Sequence, residues 1–157
     1  MISHLDYANA LYYGLPQATL APMQRLLHQA AKLILIYGKY DSATEAMRTL
    51  HWLPVSYRSH FKVACLVFRS LMGTAPTYLR DLLTVRITSR FTRSTSGSGV
   101  LLNVPSTKLN TFADRSFSVA GPKIWNDIPS NIRIISDYYS FKRQLKTLYF
   151  KRAYLSN

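Results

Sequence analysis

The eighteen residues VSYRSHFKVACLVFRSLM, Val55 to Met72, decide how the chain is read. Tyr57, Phe61, Ala64, Cys65, Phe68 and Met72 follow one another at spacings of four, three, one, three and four, the signature of one helical face. Val63, Leu66, Val67 and Leu71 widen that face until most of the circumference is apolar, so the segment is a helix at the centre of a core. Working outward, Gly73 ends it. Pro76 opens a brief helix through Tyr78, Leu79, Leu82 and Leu83. On the other side His51-Trp52-Leu53-Pro54 interrupts the pattern, because Pro54 disfavours helix at Leu53.

Three further helices precede that break. Leu5, Ala8, Leu11 and Tyr12 recur at helical spacing, with Gly14 and Pro16 as the stop. Over Leu20 to Tyr37 the sequence places Met23, Leu26, Leu27, Ala30, Ala31, Ile34 and Leu35 inward and Gln24, Arg25, His28, Gln29 and Lys32 outward, with Gly38 as the left-handed cap. Asp41 or Ser42 caps a third helix through Leu50, with Glu45 in its first turn where the helix dipole favours negative charge.

Downstream the character changes. Val85 to Gly99 shows no period, and Arg86, Arg90 and Arg93 stand among Ser, Thr and Gly, which predicts an exposed basic loop. Val100 to Val104 reads as a short strand bounded by Pro105. From Thr111 on, Gly121-Pro122 and Pro129 predict two short helical pieces rather than one helix. Ser136 then caps a terminal helix, with Phe141, Leu145, Leu148 and Tyr149 inside and Lys142, Arg143, Lys146, Lys151 and Arg152 outside.

The chain of 157 residues carries 20 Lys and Arg against 7 Asp and Glu, a formal charge of +13. Residues 1–84 hold eight basic and four acidic side chains, and residues 85–157 hold twelve and three. Such a field disfavours the compact state by self-repulsion, and its usual purpose is an anionic partner, nucleic acid before membrane surface. With 48% hydrophobic and 13% aromatic residues the chain can build a core and is not a disordered basic tail. One cysteine excludes an internal disulfide framework and suits a reducing compartment, the nucleus or cytoplasm. No apolar run approaches the roughly 18 residues of a membrane span.

Enzymatic chemistry finds no foothold. The histidines His4, His28, His51 and His60 lack the paired spacing of zinc ligands, and Cys65, on the apolar face of the central helix, reads as a structural thiol rather than a nucleophile. The acidic residues form no Asp-x-Asp or Asp-Asp pair to hold the divalent metal that nucleotide polymerisation needs. Gly97-Ser98-Gly99 lacks the strand and the Lys-Ser or Lys-Thr of a phosphate loop, and no Gly-x-Ser-x-Gly elbow occurs. No cofactor, metal or small-molecule substrate is predicted.

The basic side chains are the remaining signal. Arg86, Arg90 and Arg93, followed by Lys108, Arg115, Lys123 and Arg133, would grip phosphates, with Phe91 stacking on an unpaired base. Lys142, Arg143 and Lys146 extend the set, although cations on a terminal helix also suit its dipole. The bland counterpart is a solvated loop beside a solvated helix face. Trp52 and Trp125 each lie near a turn proline and read as loop anchors in the core rather than base-stacking groups. The Ser and Thr residues from Thr92 to Ser98, flanked by arginines, are candidates for phosphorylation, which would cancel the local charge.

An ordered series of segments carries a resemblance. Leu5-Asp6-Tyr7 through Tyr13-Gly14-Leu15-Pro16, Gln24-Arg25 with Gln29-Ala30-Ala31-Lys32-Leu33, and Leu50-His51-Trp52-Leu53-Pro54-Val55 resemble the C-terminal end of reverse transcriptases encoded by LINE-type non-LTR retrotransposons of the jockey-like groups. Arg58, Phe61-Lys62, Gly73-Thr74-Ala75-Pro76, Tyr78-Leu79 and Asp81-Leu82-Leu83 continue it. So do Arg90, Arg93, Phe112, Arg115-Ser116-Phe117-Ser118, Gly121-Pro122-Lys123, Trp125-Asn126-Asp127-Ile128-Pro129, Phe141-Lys142 and Leu145-Lys146. The likeness implies a piece downstream of the polymerase palm, beginning around the thumb, without endonuclease or polymerase centre and without a catalytic motif to carry over.

The expectation is a mostly α protein, an irregular helical bundle with a basic loop and one short strand or hairpin. Its parts are a thumb-like helical subdomain over 1–84, a basic loop over 85–99, and a basic segment with short helices over 100–157. As a non-enzymatic fragment of a reverse transcriptase it would contact the RNA or DNA backbone without sequence preference, with no membrane partner. Two further readings stand beside this one: a protein-interaction module that packs on the missing palm, and a transposon-derived remnant with no retained role.

Overall fold

The computed structural model describes residues 6–86, 99–106 and 113–155. Of these, 66% are helical, in seven α-helices with no strand or sheet, and the protein is mostly α as expected. The helices are α1 (Gln17–Ile34), α2 (Ala43–Thr49), α3 (Val55–Leu71), α4 (Thr77–Asp81), α5 (Phe117–Asp127), α6 (Ser130–Arg133) and α7 (Tyr138–Tyr154). Two 3₁₀ turns, Asn9–Tyr12 and Ala113–Arg115, precede α1 and α5. Contacts group the chain into two compact units, 1–60 with 146–157, and 61–145, a division that falls within α3 and α7.

In the first unit, Leu20, Leu27, Ala31, Ala46, Met47 and Val55 are buried together, with Tyr12, Leu15, Trp52 and Tyr154 packed against them. The face that α1 buries is rotated from the one its apolar pattern predicts. Gln24, expected outside, turns in: its Oε1 accepts the Val55 amide at 2.9 Å, an N–H that the first turn of α3 cannot satisfy itself, and its Nε2 lies 3.3 Å from Met47 Sδ and 2.8 Å from His28 Nε2. Burial lowers the pKa of His28, with the Lys32 charge adding to the effect. Leu26 and Ile34, expected inside, are exposed, as is Leu33. The Gln24 amide thus links α1 to Met47 of α2 and Val55 of α3, while Leu26, Leu33 and Ile34 stay in water.

The caps were partly legible. Ser42 accepts the Glu45 amide at 3.3 Å, as predicted for α2. Gly38 is not the cap of α1. The Tyr37 N–H reaches Lys32 O at 2.8 Å and the Ile36 N–H reaches Leu33 O at 3.3 Å, a Schellman motif that places Ile36 in the left-handed position at φ 56°. A β-branched residue is costly there. His51 closes α2 in the same conformation at φ 53°, with the Trp52 amide on Met47 O at 2.9 Å. Gly73, at φ 70°, ends α3 as its sequence predicts.

In the second unit, Val63, Ala64, Val67 and Phe68 of α3 are buried, as are Val119, Ala120, Ile124 and Trp125 of α5 and Phe141 and Leu145 of α7. Phe68 and Phe141 stack with centroids 4.4 Å apart, and Trp125 lies 5.8 Å from Phe141. The two short helical pieces expected here are α5 and α6, divided at Pro129, whereas Gly121-Pro122 does not break the first of them. Pro122 sits inside α5, and a Cβ on Gly121 would stand 3.0 Å from Val67 Cγ2, so the glycine lets α5 approach α3 closely. Asp137, not Ser136, caps α7: its Oδ2 accepts the Ser140 amide at 2.7 Å.

The strand predicted over Val100–Val104 reduces to one antiparallel bridge, Val85 with Leu102. Alternate residues bond in opposite directions. Leu101 O accepts from Arg86 N and Asn103 N donates to Thr84 O, each at 2.8 Å. On the other side Leu102 N donates to Asn126 Oδ1 at 3.0 Å, Leu102 O accepts from Asn126 Nδ2 at 2.8 Å, and Val100 O accepts from Trp125 Nε1 at 2.8 Å. Side chains of α5 thus replace a second strand, and Trp125, 1% exposed, is the anchor its sequence context predicts.

Replacing Ile36 by Gly is expected to raise the unfolding free energy by about 1 kcal/mol, because the left-handed cost disappears while a side chain that is 92% exposed gives up little burial. Urea denaturation measures it, and a loss of stability would show that the side chain packs. Asn126→Ala is expected to cost about 2 kcal/mol by stranding both Leu102 backbone groups. A fall of about 4–8 °C in the thermal midpoint is the corresponding readout.

Candidate nucleic-acid interface

The predicted cations divide into several kinds. Arg90, Arg93 and Lys108, with Phe91 and the Ser/Thr cluster from Thr92 to Ser98, lie outside the described residues. Arg86 is exposed beside the Val85 bridge, and no carboxylate stands within ion-pair distance of it among the described residues. Lys123 is exposed on α5, but its ammonium meets Asp114 at 3.0 Å. Arg115 ends the 3₁₀ turn that leads into α5.

Arg133 turns back on the protein. Its Nε donates to Ile128 O at 2.9 Å and an Nη1 hydrogen bond of 3.2 Å reaches Val100 O, so the guanidinium ties the C-terminus of α5 to the extended segment. Burial lowers its pKa, the direction in which desolvation acts on a cation. The spacing of arginines in sequence gives no hint of this, since an inward guanidinium looks the same as an outward one.

The structure adds two cations that the sequence leaves out. Lys62 and Arg69 belong to the less basic half by residue number, yet both are exposed on α3 in the second unit. The Lys142 ammonium lies 5.4 Å from the centre of the Tyr138 ring, within cation–π range. The charges of Lys62 and Lys142 are both felt at Cys65, and that of Arg69 at the Tyr138 hydroxyl, which places three cations from two helices around one tyrosine and one thiol. Arg69 also donates to Thr74 O at 3.0 Å, closing α3. Arg143 follows Lys142 on α7, whereas Lys146 lies on the part of α7 that belongs to the first unit.

Cys65 is a free, buried thiol on α3. Burial pushes its thiol up to about 11, against the pull of Lys142, of the Tyr138 hydroxyl and of Lys62. Among the described residues no three His, Cys, Asp or Glu side chains converge as a metal site, and no helix is long and apolar enough to cross a membrane. What the second unit offers chemically is cationic donors on a rigid helical support.

Arg133→Ala is expected to lower the thermal midpoint by about 4–8 °C, through two lost charge-assisted bonds to carbonyls, and Arg86→Ala by less than about 1 °C. Equal losses in a differential scanning experiment would contradict the division between a bracing and a surface arginine. No family model, curated protein or solved structure matches the chain.

Proposed function

We propose that the protein binds the sugar-phosphate backbone of RNA or DNA without sequence preference, as the non-catalytic C-terminal part of a LINE-type reverse transcriptase. The observation that carries the binding half of this reading is arithmetic: even if all seven carboxylates were paired, thirteen of the twenty cations would keep their charge. A field of that size attracts polyanions whatever the detailed placement. The gathering of Lys62, Arg69 and Lys142 in the second unit supports a contact there, with Arg86 beside the bridge as a further exposed donor. The retrotransposon origin rests on the ordered sequence likeness alone.

The mechanism is neutralisation of phosphates with release of condensed counterions, so log affinity falls linearly with log salt, by about 0.7 to 0.9 per phosphate contacted. A second reading, a module that docks on a polymerase palm, is favoured by the outward-turned Leu26, Leu33 and Ile34 of the first unit. In that case isolated protein would self-associate or aggregate regardless of salt.

Filter binding of RNA and duplex DNA from low to moderate salt separates the two. Retention that falls steeply with salt, and that falls further when Arg86, Arg90 and Arg93 are reversed to Glu together, is the expected result. Absence of retention at low salt, with salt-insensitive self-association, would replace nucleic-acid binding by the docking module.

A further inference from the structure

Asp137 fixes the first turn of α7 through the Ser140 amide, and in doing so it sends two adjacent tyrosines in different directions. Tyr138 turns towards the helix body. Its ring lies 5.8 Å from Phe68 and under the Lys142 ammonium, and its hydroxyl bonds the Cys65 sulfur. Tyr139, about 100° further round the helix, stays in solvent at 79% exposure, held edge-to-face against Tyr138 at 5.9 Å. Three and four residues on, Lys142 and Arg143 occupy the neighbouring positions on the same side of the helix, roughly 5–6 Å away at Cβ. Lone exposed tyrosines are commonplace. A bare ring beside a half-buried one, with two cations one turn away and Lys62 and Arg69 on the adjoining helix, is a different arrangement.

We propose that Tyr139 is a stacking platform for an unpaired base, with Lys142 and Arg143 holding the phosphates beside it, so that the second unit takes single-stranded nucleic acid in preference to duplex. The proposal rests on the backbone-binding reading above and adds a strand preference to it. A π-face accepts any base, so the site is sequence-tolerant, whereas the bases of a duplex are already stacked on each other and cannot reach the ring. The Asp137 carboxylate accepts the Ser140 amide at 2.7 Å at the start of α7, and that bond is the main cause of its lowered pKa.

Fluorescence anisotropy with labelled oligothymidylate and with a labelled duplex tests it on the full chain. The intact protein is expected to bind the single strand more tightly. Tyr139→Ala should weaken oligothymidylate binding by about ten- to a hundredfold and leave duplex binding within about twofold, while Tyr139→Phe keeps both. Tyr40→Ala, which removes a tyrosine 93% exposed in the first unit, should change neither and controls for general loss of aromatic surface. Equal losses on both ligands, or none on either, with Tyr139→Ala would overturn the stacking role while leaving backbone binding intact. If the intact protein bound neither ligand at low salt, the backbone-binding reading itself would fall and the platform with it.

Discussion

A helix that is apolar round most of its circumference has to be covered on several sides, and α3 imposes that demand on both units. Its opening turn needs a partner for the Val55 amide, and Gln24 of α1 supplies one at 2.9 Å. Its later turns bury Val63, Ala64, Val67 and Phe68, and the absence of a side chain at Gly121 lets α5 come close to Val67. Even its buried polar groups are settled internally: Ser59 Oγ donates to Ser56 O at 2.7 Å and Ser70 Oγ to Leu66 O at 2.9 Å. A hydroxyl returned to its own helix carries no desolvation penalty into the core.

The existence of the helices was legible because periodicity and caps are local. Val55–Leu71 matches its apolar spacing almost to the residue, and Ser42 with Glu45 marks the start of α2 as the capping rule demands. What escaped the sequence depends on distant partners. The rotation of α1 follows from the bonds Gln24 makes to residues 23 and 31 positions away, which no window over α1 contains. The continuity of α5 through Pro122 follows from packing that offsets one missing hydrogen bond. Ile36 in a left-handed cap runs against propensity, and Gly38 two residues later drew the prediction to itself.

The candidate site divides in the same way. Net charge can be counted in one dimension, so the expectation of a polyanion partner needs no coordinates. Which cations face outward is not. Arg133 is spent on two carbonyls and Lys123 on Asp114, whereas Lys62 and Arg69, numbered among the less basic residues, act with Lys142 on Cys65 and Tyr138. The sequence could have offered one hint: Lys62 and Arg69 are seven apart on the central helix, hence on one face.

The way Asn126 serves the extended segment has an evolutionary corollary. One amide holds both the N–H and the C=O of Leu102, while Trp125 and Arg133 converge on the carbonyl two residues earlier. These three side chains read the backbone as a ruler with a two-residue pitch. An insertion or deletion of a single residue between Val100 and Leu102 would slip that register, so the Asn126 bonds to Leu102 and the Trp125 and Arg133 bonds to Val100 could no longer be made together.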